Sequence, residues 1–222
     1  MAISVPDIFA VWKPKGPSSN GVLNRIRHIL GTKHVGHAGT LDPLAEGILV
    51  VGVGKGTKML SLEVAKEKEY IADIRLGAVS STDDAEGEIT EKEVGGIPSG
   101  EDVHEAVFHF LGKGKQIPPV WSAIKVGGKE SYKLARKGMD VPLEPRDIEV
   151  KEVEIIGYEW PRLTVRFVTG PGVYIRSLAR DIGERLGVGG YLAGLIRSRV
   201  GSFTEKECID MESLSKEGSS GL

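Results

Sequence analysis

The run ILVVGV, residues 48 to 53, is the feature that most constrains this fold. An unbroken apolar stretch of that length is consistent with a buried strand, which needs cover on both faces. The rest of the chain supplies that cover. DIFAVWK reads as a short strand, followed by the turn KPKGPSS and a helix capped by Ser18 or Ser19. That helix runs to about Leu30, sets Val22, Ile26 and Ile29 on one face, and stops at Gly31. GTKMLSLEVAKEK reads as helical, EYIADIRLGAV as a strand, and STDDAEGEITEKEV as a polar turn with a return strand. Ser99 and Asp102 form a capping-box pattern ahead of the amphipathic VHEAVFHFLG.

Further along, residues 120–126 are predicted as a strand and ESYKLARKG as a short helix. Two long strands are predicted over 147–158 and 162–169. YIRSLARDIGERLG then carries an apolar stripe of Ile175, Leu178, Ile182 and Leu186. Strand pairs interspersed with helices argue for an α+β fold: a mixed, mostly antiparallel central sheet flanked by helices. There is no internal repeat and no linker that divides the chain. Residues 1–210 are therefore expected to form one domain, with the basic stretch 112–139 as an inserted loop or subdomain. Residues 211–222 are polar and glycine-rich and are expected to form a flexible tail.

Composition excludes several classes. With 40% hydrophobic residues over 222 positions the chain can bury a sizeable core, and no run approaches a membrane span of about 18 residues. The N-terminus has no basic leader ahead of its apolar stretch, so it does not read as a signal peptide. Cys208 is alone, which excludes an internal disulfide and suits a cytoplasmic protein. Net charge is −2, yet from Ile8 to Leu41 the charged residues are Lys13, Lys15, Arg25, Arg27 and Lys33, with Asp and Glu absent. A basic segment on an acidic protein can still steer a polyanion.

Which residues carry chemistry? GVGKGTK fails as a phosphate loop because Gly56 separates Lys55 from Thr57, and it fails the dinucleotide pattern after its second glycine. His34 with His37, and His104 with His109, lack the further ligands of a metal site. No G-x-S-x-G elbow marks a nucleophilic serine, and acidic neighbours keep Cys208 unactivated. Asp83 and Asp84 could pair with Asp42 in a two-carboxylate hydrolase, but STDDAEG reads more simply as an Asp-rich turn. What stands out is Asp42 itself, confined in GHAGTLDPLAEG among glycines and beside Pro43. It is either a helix N-cap or a fixed reactive group.

The wider pattern around Asp42 resembles a known family. GHAGTLDPLAEGILVVGVGKGTK is similar to the catalytic segment of the TruB-type pseudouridine synthases, to which the guide-RNA-directed dyskerin group is related. KPKGPSSN, EYIADIRLGAVSSTDDAEGEI, IPPVWSAIKVGGKESYKLARKG and GVYIRSLARDIGERLGVGGYLAGLIRSRVGSF resemble further family segments, in the family's order.

The resemblance implies the pseudouridine synthase fold and an isomerase acting on the T-loop uridine of tRNA, position 55, without cofactor or metal. It implies Asp42 as the essential aspartate, His37 as a holder of the flipped nucleotide, and Tyr70 as the ring stacked on the target base. Tyr174 is implied as a nucleotide contact, Arg176 as the partner of the catalytic carboxylate, and Leu195 as a wall of the uracil pocket. RNA backbone contacts are expected from Lys13, Lys15, Arg25, Arg27 and Lys33, and from Lys125, Lys129, Lys133, Arg136 and Lys137. A monomer without a membrane partner and without a C-terminal PUA domain is expected. The alternatives are the catalytic subunit of a guide-RNA-directed synthase and an RNA-binding protein without chemistry.

Overall fold

The protein is described here by a computed structural model that covers residues 5–211 together with Ser213 and Leu214. The chain forms two compact units, residues 1–71 with 195–222, and residues 72–194. The first contains β1 (Ile8–Lys13), α1 (Ser19–Leu30), β2 (Val35–His37), β3 (Ala45–Val53), a 3-10 turn over Gly54–Met59 and α2 (Leu60–Val64). Within β4 (Lys68–Leu76) the chain passes into the second unit. There it forms β5 (Ala78–Ser80), β6 (Ile89–Glu91), α3 (Gly100–Phe108), β7 (Gly112–Gln116), β8 (Lys125–Val126) and β9 (Lys129–Glu130). α4 (Ser131–Ala135), β10 (Arg146–Glu159), β11 (Arg162–Thr169) and α5 (Ile175–Arg185) follow. The chain returns to the first unit within β12 (Gly190–Val200).

In the first unit β3 is the organising strand. β1 lies antiparallel along one edge, Ile8 opposite Gly52 and Lys13 opposite Gly47. The other edge is shared: β2 pairs antiparallel with its end, Val35 opposite Val53, and β12 pairs parallel with its start, Leu195 opposite Ala45. The two faces of ILVVGV bury into separate clusters. Leu49 and Val51 join Phe9, Val11, Val22 and Ile26, while Ile48 and Val50 join Ala10, Ala38 and Val200. Alternation along one strand therefore explains why the run is apolar throughout. Leu214 is 3% exposed and packs in the first cluster, so the stretch expected as a flexible tail begins with folded residues. The remainder of that stretch lies outside the described residues.

The second unit orders its main strands β4-β11-β10-β7, with β10 antiparallel to both β11 and β7. Leu163, Val165 and Phe167 of β11 are fully buried, as are Val103 and Val107 of α3 and Leu178 and Ile182 of α5. The α+β, mostly antiparallel architecture is as the sequence predicts. Two segments differ. Residues 112–116 form β7 of the sheet, not the start of an inserted loop, although GKGKQ carries no apolar alternation. Of the strand predicted over 120–126 only Lys125–Val126 is extended. Before it, the Ser122 and Ile124 carbonyls accept from the backbone N–H groups of Tyr132 and Ser131, so this backbone serves the start of α4.

Candidate active site

Asp42 sits in the connection between β2 and β3, where the edge of β3 changes partner from β2 to β12. It caps no helix. A turn closed by Ala45 N–H donating to the Asp42 carbonyl (3.1 Å) leads directly into β3. Nearly every other carbonyl of the loop is also engaged. Arg197 donates to Gly39 O (3.1 Å) and Thr40 O (3.4 Å), and the Ser19 hydroxyl donates to Leu41 O (2.8 Å). Gly16 N–H donates to Pro43 O (2.8 Å), and the Lys13 ammonium donates to Ala45 O (2.6 Å). Ser19 also accepts from Leu41 N–H (2.8 Å), so one hydroxyl satisfies both backbone groups of a buried residue. A loop tied at this many points holds the backbone of Asp42 in one place.

Two glycines make the arrangement possible. Gly39 has φ +94, a conformation that residues with a Cβ avoid. At Gly47 a Cβ would collide with the backbone carbonyl of Arg197, so glycine alone lets β12 approach β3 there.

The structure gathers most of the expected residues of this unit around that loop. His37 ends β2, Leu195 pairs with Ala45 at the start of β3, and Tyr70 is buried on β4. Burial lowers the His37 pKa, the Arg197 and Arg27 charges lower it further, and the Gly39 backbone partly opposes them. These effects favour the neutral ring, and its buried Nδ1 makes no hydrogen bond of ordinary geometry. Lys68, with its ammonium on the carbonyls of Val64 and Lys66 (both 2.8 Å), has its pKa brought down to about 8 by burial and by Arg197.

In the second unit Arg176 is 6% exposed at the start of α5. Its guanidinium donates to Asp84 Oδ2 (3.1 Å), Thr82 O (3.3 Å) and Trp121 O (3.0 Å). Asp84 is 1% exposed, and its other oxygen accepts from the Thr82 hydroxyl (2.6 Å) and Glu86 N–H (3.0 Å). STDDAEG is therefore more than a surface turn: it supplies a buried carboxylate that aims an arginine. Asp83 beside it pairs with Arg180 (2.8 Å), and burial pushes its carboxyl above the usual range against that pairing. Tyr174 is placed by a residue that sequence reasoning missed. The Gln116 amide donates to Tyr174 O (3.0 Å) and accepts from Tyr174 N–H (2.9 Å). Because GKGKQ gives no sign of being a strand, nothing in the sequence marks Gln116 as facing inward.

Two expected RNA contacts are otherwise employed. Lys13 is completely buried, its ammonium spent on Pro14 O and Ala45 O, because its place on β1 turns it inward. Arg27 donates to Asn20, Asn24 and Val35 O, fastening α1 to β2. Lys15, Arg25, Lys33, Lys125, Lys129, Lys133, Arg136 and Lys137 are exposed. Lys133 pairs with Glu130 (3.0 Å), and both Lys133 and Arg136 lie over the Tyr132 ring.

Comparison with known proteins adds a separate line. Residues 27–175 match the model of the TruB family pseudouridylate synthase N-terminal domain, and residues 176–219 that of the tRNA pseudouridylate synthase B C-terminal domain. Similar proteins include tRNA pseudouridine synthase B of Thermobifida fusca, 42% identical over 95% of this chain and 74% of the relative. That of Mycobacterium tuberculosis strain H37Rv is 40% identical over 97% of this chain and 74% of the relative. Among solved structures, a chain of a Cbf5-Nop10-Gar1 complex superposes with TM-score 0.69 at 29% identity, covering 89% of this chain and 50% of that one. A chain of the archaeal box H/ACA sRNP Nop10-Cbf5 complex gives TM-score 0.70 at 25% identity, covering 95% and 53%. The chain spans about half the length of these two structural relatives.

Proposed function

Because the chain belongs to the TruB family of pseudouridylate synthases, we propose that it converts uridine to pseudouridine in the T loop of tRNA. The observation that carries this reading is the Asp42 loop, a carboxylate on a backbone held at nearly every carbonyl. The reaction breaks the bond from C1′ to N1, turns the uracil and joins C1′ to C5. N1 gains a hydrogen and C5 loses one, so the isomerisation is redox-neutral overall. Its central demand is one ionised carboxylate fixed beside a base that has left the RNA stack.

In this reading Asp42 is that carboxylate, presented by its fastened loop, while the Arg176 guanidinium is itself held by Asp84, Thr82 O and Trp121 O. Flipping the uridine costs a few kcal/mol. Stacking on Tyr70 offsets about 1–3 kcal/mol of it. Leu195 walls the uracil, His37 helps hold the flipped nucleotide, and Tyr174, its backbone held by Gln116, is a further nucleotide contact. The exposed lysines and arginines, Lys15, Arg25 and Lys33 with those of residues 125–137, bind the RNA backbone. Affinity then falls steeply as salt rises.

The test is an unmodified tRNA transcript incubated with the protein alone, with pseudouridine mapped by chemical adduct and primer extension. Product at a T-loop uridine is expected, and absence of product at every T-loop uridine would overturn the reading. Asp42→Asn is expected to abolish turnover while RNA binding persists. Product formed only after adding accessory proteins and a guide RNA would assign the chain to a guide-directed assembly instead.

A further inference from the structure

Arg197 has the largest of the fully buried side chains among the described residues, at 1% exposure. Burying a guanidinium is costly, and an apolar side chain of similar length would fill the space at lower desolvation cost. Its contribution therefore lies in what it holds. Nε donates to Ile48 O (2.8 Å), Nη1 to Thr40 O (3.4 Å) and Nη2 to Gly39 O (3.1 Å). Gly39 and Thr40 lie on the arm that enters the Asp42 loop, and Ile48 lies on β3, into which the loop runs. The fork thus spans the loop from one arm to the other. The Asp42 carboxylate lies near enough to act on its charge. The backbone that delivers it is seated against Gly47, where a Cβ has no room.

We propose that Arg197 is a positioning residue for the isomerisation: one guanidinium ties the two arms of the Asp42 loop together. It sets the height of the carboxylate relative to the stacked ring, and it does so without touching substrate. This rests on the reading of Asp42 and Tyr70 as site residues given above. Lysine cannot replace it fully, since a single ammonium lacks the planar fork that reaches three carbonyls in different directions.

Two measurements test this. The first compares wild type, Arg197→Lys and Arg197→Met, each confirmed folded by thermal melting, on an unmodified T-stem-loop RNA. Arg197→Met is expected to bind RNA as wild type does while its single-turnover rate falls on the order of 10²-fold, the usual cost of a small misplacement. Arg197→Lys is expected to fall between the two. A folded Arg197→Met at the wild-type rate, or a loss of binding in step with the rate, overturns the proposal.

The second uses the wild-type chain with arginine-selective 15N labelling, the Arg197 signal being assigned by difference against Arg197→Lys. Its Nε–H is expected to exchange slowly with solvent and to shift in Asp42→Asn. A signal that does not shift, or that exchanges rapidly, overturns the proposal even where Arg197→Met does not fold. Should wild type form no pseudouridine, the functional reading fails, while the labelling experiment still judges Arg197.

Discussion

Ser18 and Ser19 are adjacent, chemically identical, and employed for different ends. Ser18 accepts from Gly21 N–H (3.1 Å) and caps α1, while Ser19, buried at 1% exposure, holds both backbone groups of Leu41 beside Asp42. Ser18→Ala is expected to cost about 1 kcal/mol of stability and to leave turnover unchanged. Ser19→Ala leaves a buried N–H and carbonyl unpaired, a cost of about 1–3 kcal/mol, and is expected to lower kcat as well. Denaturant titration beside single-turnover kinetics separates the two. The sequence shows that a serine caps the helix but cannot show which. The same blindness covers Lys13, which counts as part of a basic stripe yet points inward, and Asp84, which looks like turn chemistry yet is buried against Arg176. A residue's charge is legible in sequence; the side of the backbone it occupies depends on pairing partners far along the chain.

Among the elements, those with strong local signals match their predicted positions. α3 begins with the capping box of Ser99 and Asp102, in which the Ser99 hydroxyl and backbone N–H hold the Asp102 carboxyl below its usual range. Ser99→Ala is expected to lower stability by about 1 kcal/mol, read as a shift in the denaturation midpoint with unchanged slope. β10 and β11 are legible because apolar and β-branched residues recur along them. β7 is not, since its pairing with β10 is set by backbone hydrogen bonds and its side chains are glycine, lysine and one inward glutamine. With β7 unread, Gln116 and its grip on Tyr174 were unreadable too.

At the level of the whole molecule, burial works against the charged forms of His37 and Lys68. His37 has its pKa lowered from 6.5, so as pH falls below that value the unfolded chain takes up a proton more readily than the folded one. Stability is therefore expected to fall as pH drops through that range, and His37→Asn to flatten the decline in denaturant titrations on either side of it. Lys68, lowered from 10.5 to about 8, acts in the alkaline window: its contribution makes stability rise with pH between those values. The mixed, mostly antiparallel architecture was legible because strand and helix signals alternate along the chain. The division into two units was not, because both crossings fall inside strands, β4 and β12, and neither is marked by a linker composition.

Those crossings impose an order on biosynthesis. A ribosome releases the second unit as one continuous stretch, whereas the first must wait for residues from Leu195 onward before its central strand acquires a parallel neighbour. Lys13, Gly16 and Ser19 emerge early and can grip the Asp42 loop at once; Arg197 reaches it only after the intervening 123-residue-long unit, 72–194, has been made. The nascent chain therefore carries the Asp42 loop half-fastened, and the last clasp to close is a guanidinium translated long after the backbone it grips.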